Sequence, residues 1–401
     1  MTESIKSYNL IDELLFVFML ILSTNPITPV FFPDNDLFSE PAWYFIYLYV
    51  FFVAYKRNIK IKVDIFIFLV IIICAISIIW SDQQLITFKK SIALLCSTFV
   101  ILYFLSIFID KQLLKLISIS FGFIVVMNII FIILFPYNVY DSFNDPTALR
   151  GIYTTKNYLS KLMLLSIISI YFYFKVCKKN ILKKPLWLIL LLSSFVLLIL
   201  AKSAMVLIAL IIISMLIIVI NLIPQNRDLR IFYYCIFVVL SIIILYLLVG
   251  NFDSILGIFG KNTEFSGRFV IWHYVLEAIK NSPLVGYGYS AFWGGVGTPS
   301  GNLVRIIGWN VPSAHNGFLD IWLSIGLIGL LLILTSIISV FNRLIKFMNN
   351  NDFYQFLFII LFYLLIINST ETSLLLSNNI YWIFFVMLVT CSKKNERKGD
   401  F

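Results

Sequence analysis

The chain has 401 residues, 61% of them hydrophobic and 12% charged. Soluble domains average roughly 45–50% apolar and about 25% charged residues, so this composition excludes a soluble enzyme and describes an integral membrane protein. The net charge of +10 comes from bases scattered between apolar runs; they form no single face for nucleic acid, and they read instead as a topology signal for a chain whose partner is the lipid bilayer.

Lipid offers no hydrogen-bond partner to the backbone, so only helices or a closed barrel can span it, and continuous apolar runs without strand-like alternation select helices. Such runs fall at about 14–32, 41–55, 63–80, 91–109, 116–136, 157–174, 185–200, 203–222, 231–249, 317–341, 354–368 and 378–391. The expected fold class is therefore an all-α integral membrane protein of roughly twelve transmembrane helices. Residues 1–401 form a single polytopic domain, with a large polar loop, 250–316, inserted between the ninth and tenth helices. The first run follows Asp12 and Glu13 and precedes no small-residue cleavage site, so it reads as a retained helix and not a signal peptide.

An inside N-terminus puts about twenty of the 30 bases on cytoplasmic segments and leaves the acidic Pro33-Asp34-Asn35-Asp36 loop outside, the asymmetry of the positive-inside rule. Both termini are then cytoplasmic. The bases left on the outer face are Lys89, Lys90, Arg150, Lys156, Lys161, Lys202, Lys261, Arg268, Lys280 and Arg305. The rule disfavours them there, so an anion is expected to meet some of them. Lys89, Lys90, Lys161 and Lys280 read as side chains that snorkel to headgroups.

The 137–156 loop, the third on the outer face, carries Asn144-Asp145-Pro146, a turn signal, then Arg150-Gly151 and Lys156-Asn157 just before the next helix. A guanidinium beside a glycine can approach phosphate oxygens closely. Lys202 lies in the short Leu200-Ala201-Lys202-Ser203-Ala204 hinge between two apolar runs, where a charge is costly unless it is paired or solvated. In the long loop, Gly267 to Ile279 has apolar residues at helical spacing and predicts an amphipathic helix on the bilayer surface, with Arg268 on its first turn and His273 among its aromatics. Gly286, Gly288, Gly294, Gly295 and Gly297 follow, and the loop closes on Ser313-Ala314-His315-Asn316-Gly317.

The five cysteines have no paired spacing, so neither a disulfide framework nor a metal site is expected. The run Gly286-Tyr287-Gly288-Tyr289-Ser290-Ala291-Phe292 fails as a nucleophile elbow because Phe292 stands where glycine is required. No phosphate-binding loop or zinc-protease helix is present, and no cofactor is indicated.

Several stretches resemble one family: Leu149 to Asn157, Gly267-Arg268-Phe269-Val270-Ile271-Trp272, Pro283-Leu284-Val285-Gly286-Tyr287-Gly288, and Ala314-His315-Asn316-Gly317-Phe318-Leu319-Asp320 with Gly326 and Gly329. Their order is similar to the bacterial O-antigen ligase and exopolysaccharide polymerase superfamily, nearest its exopolysaccharide-polymerase branch. The first hundred or so residues agree mainly in hydropathy and in Trp80-Ser81-Asp82. The resemblance implies a metal-independent glycosyltransferase of the bacterial inner membrane, active on the periplasmic face. The donor would be an undecaprenyl-pyrophosphate-linked oligosaccharide, and the acceptor another glycan in a polymerase or lipid A core in a ligase; a flippase and a chain-length regulator would be partners. Ligases of the family often show arginine in the short outer hinge where this chain has Lys202, and lysine cannot form the same bidentate fork.

Transfer from a glycosyl pyrophosphate needs a base for the acceptor proton and cations for the departing anion. Imidazole suits the first task and arginine the second. His315 and Arg268 are the expected catalytic residues, with Arg150, Lys156, Lys202, Arg305 and Asn316 binding pyrophosphate or substrate, while His273 is expected to pack. A transporter of lipid-linked oligosaccharide, the alternative of another class, would call for charges buried mid-helix and internal repeats, and neither is visible.

Overall fold

A computed structural model of the chain describes residues 8–26, 36–141, 145–222, 265–295, 297–308, 310–348 and 351–394. The expected helix at 231–249, Lys261 with the start of the long loop, and most of the acidic loop near residue 34 lie outside these described residues.

Each remaining apolar run lies on a helix. They are α1 (Leu10–Leu22), α2 (Asp36–Lys56), α3 (Ile65–Ile76), α4 (Gln84–Ile107), α5 (Asp110–Leu134), α6 (Lys156–Val176), α7 (Pro185–Leu200) and α8 (Ala204–Leu222); α9 (Phe265–Asn281) and the short α10 (Gly301–Ile307) belong to the polar loop, and α11 (Gly317–Phe347), α12 (Asp352–Thr370) and α13 (Ile380–Ser392) follow. Among the described residues six of these helices are long and apolar enough to cross a membrane, and three shorter ones are equally apolar. The chain is a mostly helical membrane protein. One element departs from all-α expectation: β1 (Tyr140–Asp141) and β2 (Asp145–Leu149) pair antiparallel in the loop before α6, where pairing satisfies backbone groups close to the helix ends.

Local chemistry sets the helix starts. Thr155, Asn316, Asn351 and Asn379 each accept a backbone N–H of the first turn of α6, α11, α12 and α13, the usual service of an N-cap. Helix α12 is buried over nearly its whole length and packs against α6, α8, α11 and α13. Its sequence is hydrophobic all round, as a central helix requires. Small hydroxyls join neighbouring helices: Ser166 and Ser194 share a 3.0 Å hydrogen bond, and Ser118 Oγ donates to Ser169 O at 2.9 Å, the kind of contact that holds helices together where apolar burial gives no preference. Leu192, Val196 and Ile199 of α7 and Ile211, Met215 and Ile218 of α8 point outward, as a lipid-facing surface demands.

Helix α11 is broken. Ile325 and Gly326 leave the helical conformation, with Gly326 at φ 70°. Non-helical backbone within a membrane-length helix is tolerated only where protein satisfies it, and the stretch after α9 does so. Tyr287 N donates to Leu323 O at 2.8 Å, Gly288 N to Ser324 O at 3.0 Å, and Leu327 N to Pro283 O at 2.9 Å. A side chain at Gly326 would overlap Leu284 backbone, and one at Gly286 would overlap Leu323. Gly286 and Gly326 are thus explained by close backbone approach.

Helix α9 forms where the apolar spacing predicts it. Ile271, Val275, Ala278 and Ile279 recur on one face and pack with Phe292, Leu303, Val311, Ala314 and Leu323 into a second core. That face is covered by the protein's own loop and α11, so the helix serves as a wall of the site.

Candidate active site

The C-terminal end of α12, the N-terminal part of α6, the hinge between α7 and α8, the start of α9 and the start of α11 meet at one end of the bundle. From α6 comes Lys161, whose ammonium lies 3.5 Å from Glu371 and over the rings of Tyr158 and Tyr381 at 5.4 and 5.6 Å. Asn157, one turn earlier, donates through Nδ2 to Glu371 Oε1 at 3.2 Å and accepts from the Ser203 hydroxyl at 2.9 Å. Arg268, near the start of α9, donates to Thr370 O at 3.2 Å. These side chains surround a small pocket of about 20 Å³ lined by Asn157, Lys161, Ser203, Arg268, Thr370 and Glu371.

His315 sits just before α11 in a left-handed conformation, φ 51°, uncommon for a residue with a side chain and a sign that its surroundings hold it. It is half-buried, and among the described residues its Nδ1 is buried without a hydrogen-bond partner. Burial pushes the imidazole below its ordinary pKa; Glu371 opposes that, while the charges of Arg268 and Lys161 add to it. The N-terminus of α11 disfavours the imidazolium further. His315 is therefore neutral near neutral pH, the form that accepts a proton. Burial alone would raise the Glu371 carboxyl, but Lys161, His315 and Arg268 together hold it below the usual carboxylate value. Glu371 stays charged, and around it stand two permanent cations and one base.

Other residues singled out in the sequence lie elsewhere or act differently. Lys156 is buried and paired with Asp145 at 3.3 Å, with its N–H donating to Asp141; it locks the hairpin to α6. Arg150 turns its guanidinium to carbonyls of its own loop, Asn138 O at 3.3 Å and Thr154 O at 3.5 Å. Lys202, at φ 47° in the hinge, is exposed and donates to Thr147 Oγ1 at 2.9 Å. Asn316 uses Oδ1 to cap α11, accepting from Phe318 N at 3.1 Å and Leu319 N at 3.4 Å, so that oxygen is committed to the helix. Arg305 is exposed on the last turn of α10. His273 does not pack: it is exposed on α9.

Residues 187–334 match the O-antigen ligase family. The chain is also similar to the exopolysaccharide production protein ExoQ of Rhizobium meliloti (strain 1021), 36% identical over 106 residues. Both similarities, each over part of the chain, point to the O-antigen ligase and exopolysaccharide polymerase superfamily. The similarity to ExoQ spans 26% of this chain and about a quarter, 24%, of that relative's length. The O-antigen ligase match includes His315, Arg268 and the Lys202 hinge, whereas Lys161 and Glu371 lie outside it.

Lys161 and Glu371 are the charged residues of this pocket that sequence reasoning did not place in the site. Lys161 reads as one more lysine near a helix end, indistinguishable by position from Lys89 or Lys90. Glu371 ends a long apolar run at Ser369-Thr370-Glu371; a carboxylate there, on the side where outer bases accumulate, is the signal that could have revealed it.

Proposed function

We propose that this O-antigen ligase family protein is a membrane glycosyltransferase that acts on undecaprenyl-pyrophosphate-linked glycan at the periplasmic face of the bacterial inner membrane and polymerises surface-polysaccharide repeat units. The observation that carries this reading is the cluster itself: an imidazole with an unpartnered buried nitrogen, set beside Arg268 and Lys161 around one carboxylate. The acceptor hydroxyl oxygen attacks the anomeric carbon of the donor as its proton passes to His315. The bond from that carbon to the pyrophosphate oxygen breaks, and undecaprenyl pyrophosphate leaves as an anion facing Arg268 and Lys161. Cations aimed at a departing anion in a dry site act most strongly where charge develops.

Glu371 balances the cations when no donor is bound. The pocket of about 20 Å³ holds roughly one water, so a pyrophosphate enters by displacing the Glu371 side chain or the 201–203 turn. A fold of roughly twelve spans with both termini cytoplasmic supports a periplasmic site, because the bases assigned inside, Lys175, Lys393 and Lys394, pair with acids at the opposite ends of the helices.

A second reading, ligation of glycan to lipid A core, is favoured by the matched family's own description. A strain lacking the protein separates the two. Loss of a polymerase leaves single-repeat glycan on the core, and loss of a ligase leaves bare core while lipid-linked chains accumulate. The chemistry is tested with purified protein and lipid-linked donor. His315→Ala should bind donor and lose 10²–10⁴-fold in rate, the usual cost of a missing general base, while His273→Ala retains most activity. Turnover of His315→Ala within a few-fold of the parent would remove His315 from this role.

A further inference from the structure

Asp320 is a buried carboxylate, 5% exposed, one turn into α11. Its oxygens accept from Ala314 N at 3.2 Å, from Trp293 Nε1 at 2.7 Å and from the Thr372 hydroxyl. These are neutral donors, and two of them are telling. Ala314 precedes His315, and Thr372 follows Glu371. The carbonyl of Ala314 in turn accepts from Trp272 Nε1 at 2.8 Å. Trp272 is four residues after Arg268 on α9, hence on the same face of that helix. Ala314, fully buried next to His315, is thus gripped at both its backbone N–H and its backbone C=O, by Asp320 from α11 and by the helix that carries Arg268.

We propose that Asp320 is a positioning residue that sets the separation between His315 and Glu371, holding the chain one residue away from each. This rests on the reading of His315 as the base. A general hydrogen-bonding role would need no such adjacency; here a single carboxylate ties together two loops that meet only at the site. It also explains how His315 keeps its left-handed backbone. Removing the grip on Ala314 N leaves a strained residue beside a loop free to relax, and relaxation carries the imidazole away from Glu371, Arg268 and Lys161, the charged groups that face it. A displacement of about 1 Å is enough to cost on the order of 10²-fold in rate.

Two substitutions test it. Asp320→Asn keeps the size but turns one acceptor into a donor, and Thr372→Val removes one hydroxyl and nothing else. The first readout needs no glycan substrate. The chain has two histidines, so diethyl pyrocarbonate modification resolved by mass spectrometry across pH reports on His315 with exposed His273 as the internal reference. In the parent protein His315 should react slowly, with a midpoint below the ordinary imidazole value. In Asp320→Asn the rate at His315 should rise several-fold and its midpoint move up toward the ordinary value, with His273 unchanged and Thr372→Val giving a smaller change of the same sign. Unchanged His315 reactivity in folded Asp320→Asn overturns the proposal; if that variant does not fold, unchanged reactivity in Thr372→Val does.

The second readout is transfer from purified lipid-linked donor. Asp320→Asn should lower kcat about 10–100-fold with KM for donor unchanged, and should lower it no further in a His315→Ala background, because residues acting as a unit are not additive. An equal drop in both backgrounds marks a merely structural role and overturns the proposal. Should His315→Ala itself turn over normally, the base assignment falls, while the reagent result still decides whether Asp320 sets the loop.

Discussion

Helices α6 and α12 carry a lysine and an acid at each end, and the ends differ. At one, Lys175 lies 3.9 Å from Asp352 and donates to Gln355 Oε1 at 2.7 Å and Asn221 Oδ1 at 3.1 Å: one cation, one carboxylate, amides filling the remaining valences. At the other, Lys161 meets Glu371 at 3.5 Å, but Arg268 and His315 act on the same carboxylate, the lysine is sandwiched by two tyrosines, and a pocket opens among them. A matched pair fixes helix ends. Among the described residues a surplus of cations surrounds one carboxylate beside an imidazole nitrogen without a partner, the arrangement that the proposed transfer calls for. The comparison shows that ion pairing by itself does not distinguish the two ends; the imbalance of charge does.

The sharpest break in this comparison is expected from Arg268. Arg268→Ala should reduce transfer about 10²–10³-fold at normal protein levels, as loss of a donor to developing negative charge does elsewhere. Arg268→Lys should recover little of it, since a point charge cannot replace a planar fork. Full polymer formation by Arg268→Ala in cells would contradict its role.

Next come the paired lysines. Lys161→Met should lower turnover by about 10–100-fold, the worth of a hydrogen bond to a charged group. Lys175→Met at the other end should leave turnover within about twofold and cost at most about 1 kcal/mol in a thermal melt, because its pair is partly solvated. Equal effects of the two substitutions on turnover would erase the distinction between the ends.

A third test uses pH. His315 has a depressed pKa, so activity should fall only as pH drops below its ordinary value near 6.5 and stay flat above. Glu371 raises the His315 pKa and Lys161 lowers it. The acid limb of kcat/KM should therefore move to lower pH in Glu371→Gln and to higher pH in Lys161→Met. Limbs that do not move, or that move in the opposite sense, would detach His315 from the cluster.

The smallest effects on turnover belong to the cations outside the pocket. Lys202→Ala, an exposed side chain on Thr147, should change turnover by about twofold or less. Lys156→Met should reduce stability by roughly 3–5 kcal/mol, the cost of breaking a buried ion pair, while the protein that remains folded transfers normally.

Helix positions were legible because apolar runs and Asn or Thr caps are local signals, and eleven of the twelve expected runs lie on described helices. The break in α11 was not, since its cause is the loop around Gly286 pressing against Gly326 from some forty residues away. In the site, Arg268 and His315 stood out as polar side chains beside apolar runs. Lys156 stood out equally, yet Asp145 neutralises it through a hairpin that hydropathy does not show. Lys161 and Glu371 are separated by 210 residues, and only the packing of α6 on α12 reveals that they face each other.

The most direct test is a structure of the protein bound to undecaprenyl-pyrophosphate-linked oligosaccharide. The pyrophosphate should lie against Arg268 and Lys161, with the anomeric carbon on the His315 side and Glu371 turned away from its present contact with Lys161. Pyrophosphate bound instead against Lys156, Lys202 or Arg150, with the Lys161–Glu371 pair intact, would contradict the account.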